Sequence, residues 1–252
     1  MGKDRLASES AFHDRQASRR RVTFQVDPDA LRFSDSAYLE HETWIMPAVL
    51  QLGELRGLRL LDFGCGHGMA AVVFARAGAN VTAIDLSLGY LLEAWDRATS
   101  NGAVVDLCQA TGEALPFADE SFDRIWGNAI LHHLEIRKAA LELSRILKPG
   151  GVAVFSEPWG ENRLLAWARQ SHWYPGKART PEEKPLARED LQVLRQCFSH
   201  VDCRGFQFLG MARRARLPPL VIAGLDWCDH RLLRAIPSLN NYCRYVVLTL
   251  AK

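Results

Sequence analysis

Three glycines at alternate positions, Gly64, Gly66 and Gly68, follow an aspartate, Asp62, and precede a run of small and apolar residues. Directly after a strand, glycine removes the Cβ that would hold a ligand away from the backbone, and it tolerates positive φ. A second aspartate, Asp85, closes the next apolar run; a carboxylate there can accept both hydroxyls of a ribose. Farther on, His132 and His133 follow Asn128. An imidazole titrating near neutral pH can take a proton from an acceptor oxygen or protonated nitrogen. These residue types suit a ligand that carries adenosine and a reaction that needs a proton removed.

The glycine spacing narrows the ligand. A dinucleotide fingerprint reads G-x-G-x-x-G, whereas this loop reads G-x-G-x-G. A pyrophosphate wants bare amides at a helix N-terminus and no anion nearby. Asp62 would repel it and would suit the sulfonium and ammonium of S-adenosylmethionine (SAM). The competing role for Asp62 is to fix or cap the loop. Asp85 serves NAD and SAM alike, so the loop and Asp62 carry the distinction.

These side chains need elements to hold them. Residues 58–63, 80–85, 104–109, 122–127 and 152–156 read as strands, and residues 69–77, 88–100 and 139–147 as helices between them. Such alternation predicts an α/β fold whose parallel sheet is covered on both faces, and the continuous apolar runs fit that burial. "LKPGG" ends a helix and turns into a strand. Two late strands, over 200–210 and 242–252, suggest an antiparallel edge. Residues 1–52, 157–190 and 211–241 break the alternation and read as cover over one end of the sheet. The expected organisation is one domain over 1–252, with its binding core at 58–156.

Composition narrows the classes. A chain of 252 residues, 48% apolar, can bury a full core. A formal charge of +2 gives no electrostatic reason to expect a nucleic-acid partner. There is no apolar run of membrane-spanning length and no signal-peptide core. Six cysteines without CxxC spacing suggest reduced thiols in the cytoplasm and no metal site.

Four stretches in order, "LLDFGCGHG", "VTAIDLS", "ATGEALPFADESFDRIWGNAILHHL" and "LKPGGVAVFSEP", resemble the Rossmann-like (class I) SAM-dependent methyltransferases over about residues 58–158, especially their small-molecule and lipid-quinone branch. The resemblance implies seven mostly parallel strands in the order 3-2-1-4-5-7-6, with strand 7 antiparallel and helices on both faces. It implies that Asp62, Phe63, Gly64, Cys65 and Gly66 line the methionine part of SAM, and that Asp85 and Leu86 hold the ribose and the adenine edge. Asn128 would face the methionine moiety and the methyl group. The family commonly has an aspartate two residues before the glutamate of "EALPF". This chain has Thr111 there, so adenine would rely on Thr111, Gly112 and Glu113, the last also readable as a loop brace. "GNAILHH" stands where nucleobase amino methylases carry "NPPY".

His133 is the candidate base; its other reading is a histidine that packs under the substrate or caps the helix. Candidate substrate contacts are Tyr38, His132, Glu157, Trp159 and Trp173. Glu157 could instead pair with an arginine of the 157–190 segment, and the tryptophans could simply pack a lid. The leading function is methyl transfer from SAM to O, N or C of a small organic acceptor. Methylation of a lipid or quinone headgroup at a membrane face, with residues 217–225 as a shallow anchor, is the second, less favoured reading. A non-catalytic subunit of the same fold is the third. The sequence leaves oligomeric state open.

Overall fold

The computed structural model describes residues 2–170, 184–215 and 217–252. Its strands are β1 (Arg59–Phe63), β2 (Asn80–Asp85), β3 (Val105–Gln109), β4 (Phe122–Asn128), β5 (Leu147–Pro158), β6 (His200–Phe206) and β7 (Tyr245–Ala251). They form one sheet in the order β3-β2-β1-β4-β5-β7-β6, as the resemblance implies. β7 runs antiparallel to both β5 and β6, so β5 and β6 are parallel to each other. The two late strands therefore make the expected antiparallel pair at one edge of the sheet, with β7 internal and β6 outermost. The chain leaves β1, β2, β4, β5 and β6 at the same end of the sheet.

Neighbouring residues along the strands supply opposite faces, as a pleat requires. Leu61, Phe155 and Leu248 pack with Leu143, Ile146, Leu191 and Leu194 on one face. Those side chains belong to α6 (Ile136–Ile146) and α8 (Arg188–Cys197). Leu60, Val154 and Val247 point the other way and pack with Trp44, Phe74 and Trp126. Phe74 comes from α4 (Met69–Arg76), and Trp44 directly precedes α3 (Ile45–Val49), which follows α2 (Asp35–Leu39). Burying each such Leu, Val or Phe is worth about 1.5–3 kcal/mol. The core is thus two-sided and leaves the ends of the sheet for function.

β5 begins earlier than its composition suggests. Leu147 already pairs with Phe122, and an irregularity follows before Arg124 meets Val152. α5 (Leu88–Ser100) starts at a Ser87 cap whose hydroxyl accepts from Tyr90 N–H at 3.1 Å. α7 (Arg163–Gln170) and α9 (Pro219–Ala235) follow β5 and β6. Among the described residues no helix is long and apolar enough to cross a membrane. All six cysteines are free thiols.

The N-terminal segment begins with a 25-residue helix, α1 (Gly2–Val26). It lies along α5: Asp14 accepts from the Ser87 hydroxyl at 2.5 Å and from Gly89 N–H at 2.9 Å, and Arg20 pairs with Glu93 at 2.9 Å. Asp14 therefore adds a carboxylate to the Ser87 cap at the α5 N-terminus, where free amides and the helix dipole favour it. This anchorage holds the first half of α1 across the carboxyl end of the sheet.

Candidate cofactor cleft

The loop after β1 is clamped to β2. Gly64 N–H and Cys65 N–H both donate to the Ile84 carbonyl, at 2.9 and 2.8 Å. Gly64 and Gly66 have φ of +74° and +50°, conformations that side chains resist. A Cβ on Gly64 would come within 2.5 Å of Ile130, whereas one on Gly66 would meet nothing within 4 Å. Gly66 therefore leaves its backbone bare toward open space. Gly68, at φ +80°, packs against Ala94 of α5 and precedes α4.

Asp85 ends β2 and ties the site together. Its Oδ2 accepts from Gly66 N–H at 2.9 Å and its Oδ1 from Ser87 N–H at 2.8 Å. Burial pushes this carboxyl above the usual carboxylate range, opposed by those amides and by His13. Each oxygen keeps a further lone pair for a ligand hydroxyl.

A cleft of about 180 Å³ opens here, lined by Phe63, Gly64, Gly66, Asp85 and Leu86 on one side and by Thr111, Gly112, Asn128 and His133 on the other. Nine of the residues proposed from sequence thus meet at one opening. Asn128 Oδ1 accepts from the Ser156 hydroxyl at 2.5 Å, which fixes the end of β4. Thr111 Oγ1 accepts from Glu113 N–H at 3.3 Å. Glu113 lies just outside, accepting from Glu135 N–H at 2.9 Å and from Arg5. It braces the loop.

Asp62 lies beneath the loop, 2% exposed. One carboxylate oxygen has no hydrogen-bond partner. Burial, with Asp85 adding, pushes its carboxyl up to about 7. A buried acid so placed has an unused acceptor that a cation over the loop would stabilise. Burial, with Asp62 and Asp85 adding, also pushes the Cys65 thiol well up.

Several proposed contacts lie elsewhere. Tyr38 is buried in the core under α4, its hydroxyl accepting from Trp126 Nε1–H at 3.1 Å, and does not close over the cleft. Trp159 is core, bridged to Leu186. Glu157 is fully buried and points back into the β4 turn: its Oε1 accepts from Ile130 N–H at 2.9 Å and Leu131 N–H at 2.8 Å. Its Oε2 lies 2.7 Å from His132 Nδ1. Among the described residues its partners are these two amides and the His132 ring, not an arginine, and His132 is held by the same contact. Trp173 lies outside the described residues.

Other lining residues escaped the sequence reading. Leu6, Glu9 and His13 of α1 form the roof of the cleft, and Ala129 and Ile130 part of its wall. Ala129 has φ +59°, a strained state for alanine, secured by its N–H donating to the Ser156 carbonyl at 2.7 Å. Nothing in "GNAILHH" signals that conformation. Burial pulls His13 below the usual imidazole range, with Asp85 opposing. Among the described residues, no three His, Cys, Asp or Glu side chains gather as a metal set.

Comparison with known proteins agrees with this geometry. A family model described as a methyltransferase domain matches residues 61–155. A ubiquinone biosynthesis O-methyltransferase of Sinorhizobium fredii is 35% identical over 156 residues, 55% of this chain and 62% of its own length. A malonyl-[acyl-carrier protein] O-methyltransferase of Pseudescherichia vulneris is 39% identical over 107 residues, 42% of this chain and 41% of its own. The chain therefore spans less than two thirds of the curated relatives it matches. An S-adenosylmethionine-dependent methyltransferase structure from Mesorhizobium loti shares the fold at TM-score 0.56 and 20% identity, covering 85% of this chain and all of that one. With the sheet order and the glycine loop beside these matches, residues 61–155 are similar to the methyltransferase domain of the Rossmann-like, class I SAM-dependent methyltransferases.

Proposed function

We propose that this chain transfers a methyl group from SAM to a nucleophilic atom of a small organic acceptor, in the cleft beneath α1. The observation that carries this reading is the meeting of Gly66, Asp85, Asn128 and His133 at one opening. The donor supplies, when bound, an electrophilic methyl on sulfur. Asp85 binds the two ribose hydroxyls through its free lone pairs. The bare backbone at Gly66 admits the amino-acid part, whose ammonium the Asp62 carboxylate offsets from below. Thr111 and Gly112 border the adenine. Methyl transfer is an in-line displacement, so most of the acceleration comes from alignment. His133 takes the proton that an acceptor hydroxyl must lose.

Both curated relatives are O-methyltransferases by name, which favours oxygen as the acceptor atom. Exposed Leu220, Val221 and Trp227 on α9 favour a second reading, in which the acceptor is a lipid or quinone presented at a membrane face. One screen tests both. The protein is incubated with SAM and a panel of phenols and carboxylic acids, and with quinols in anionic vesicles, and products are read by mass. Gain of one methylene on a free small molecule supports the leading reading. Product only from vesicles supports the second. Neither product, with SAM uptake intact, would contradict methyl transfer to these acceptors.

A further inference from the structure

α1 brings two titratable side chains to the roof of the cleft, a buried Glu9 and a half-buried His13, each with an unpartnered buried atom. Glu9 is 4% exposed, yet its Oε1 has no hydrogen-bond partner. The nearest cation-forming group is the His133 ring, whose Nδ1 lies 3.7 Å away and is itself unpartnered. His13, one turn on, has an unpartnered Nδ1, and its ring meets the His133 ring edge-on at 5.9 Å. Arg5 holds the arrangement from behind. It donates to the His133 carbonyl and to Glu113, and its Nη1 lies 3.9 Å from Glu9 Oε2. A buried carboxylate oxygen with no donor costs on the order of 1–3 kcal/mol. Such an atom beside an unpartnered ring nitrogen is a contact poised to close.

We propose that Glu9 is the positioning residue for His133. Its carboxylate accepts Nδ1–H, fixes the tautomer and ring plane, and leaves the Nε2 lone pair facing the cleft. This rests on the reading of His133 as the proton acceptor. The 3.7 Å gap exceeds a hydrogen bond; contacts of this kind tighten when the ligand fills the site. As the acceptor oxygen attacks the methyl carbon, its proton passes to His133 Nε2. The oxygen electron pair forms the O–CH3 bond, and the C–S pair goes to sulfur, leaving a neutral sulfide. The Glu9 carboxylate offsets the imidazolium until the proton leaves to water. N-terminal cover and catalytic centre are then one unit: without α1, His133 has no orienting partner.

The groups that face His133 are Glu9, His13 and, at its carbonyl, Arg5 from α1, His132 beside it in the chain, and Asp85 from β2 behind His13. Glu9 is the anion nearest to its Nδ1, so its removal should make the imidazolium easier to deprotonate. The test uses the full chain saturated with S-adenosylhomocysteine, with ring nitrogens followed by NMR and His133→Ala to assign the signal. In the wild type, the neutral ring should be the Nδ1–H tautomer. Glu9→Gln should lower the His133 titration midpoint by about half a unit or more and mix the tautomers, whereas Glu9→Asp should retain most of the wild-type behaviour. A midpoint and tautomer unmoved by Glu9→Gln would overturn the proposal. A wild type that takes up no S-adenosylhomocysteine would instead overturn the cofactor reading beneath it. Once an acceptor is known, Glu9→Gln should lower kcat in the wild type but have little further effect in the His133→Ala background. Equal losses in both backgrounds would contradict the pairing.

Discussion

Replacing Asp85 by Ala should weaken S-adenosylhomocysteine binding by more than tenfold in calorimetry. Two effects act in the same direction. The variant loses both ribose hydrogen bonds to a charged acceptor, each worth about 1.5–3 kcal/mol, and tenfold in affinity is only about 1.4 kcal/mol. It also frees Gly66 N–H and Ser87 N–H, which Asp85 now holds at 2.9 and 2.8 Å, so the glycine loop loses its tie to the start of α5. Asp85→Asn should recover only part of the loss. An amide has one oxygen, and its nitrogen would face one of the two backbone donors. Affinity that hardly moves in Asp85→Ala would remove the ribose assignment.

The second large effect concerns Glu157 and reads out in stability. Its carboxylate accepts from Ile130 N–H, Leu131 N–H and the His132 ring, in a place with no solvent exposure. Glu157→Ala would take this acceptor from the Ile130 and Leu131 amides and from His132 Nδ1, and leave a cavity. Breaking a buried pair of this kind costs about 3–5 kcal/mol. For a chain of this size that is a fall in Tm of about 6–20 °C. Glu157→Gln should fall less, because its oxygen still accepts from the amides and its NH2 can donate to the other tautomer of His132. The same turn carries Ala129 in its strained state, so methyl transfer should fall with stability. A Glu157→Ala protein melting like the wild type would show that the turn does not depend on this brace.

What the sequence made legible follows from burial. β2 over Asn80–Asp85 and α5 over Leu88–Ser100 fall where the alternation of apolar runs places them, because both sides of the central sheet are filled and tolerate few polar residues. Gly64, Gly66 and Asp85 were readable because a positive φ and a carboxylate at the strand end that ties the loop constrain residue type. The roof was not. Leu6, Glu9, His13, Ala17 and Arg20 follow one another at helical spacing, and all contact the body of the protein. That stripe mixes apolar, acidic and basic residues, so no hydrophobic periodicity marks the buried face. Glu157 and Trp159 were placed near an acceptor from their position after β5, but the chain turns both inward, one to cap a turn and the other into the core. Tyr38 reads as a substrate contact, yet its hydroxyl finds a buried partner in Trp126 instead. Side-chain direction in irregular segments depends on partners far away in sequence, which a local pattern does not encode.

The central claim is that the opening between the β1 loop and α1 receives the adenosine and amino-acid parts of SAM. Calorimetric titration of the wild-type chain with S-adenosylhomocysteine, and separately with NADH, tests it most directly. The account predicts saturable one-to-one uptake of the former and no heat from the latter. Tight NADH binding with indifference to S-adenosylhomocysteine would contradict it.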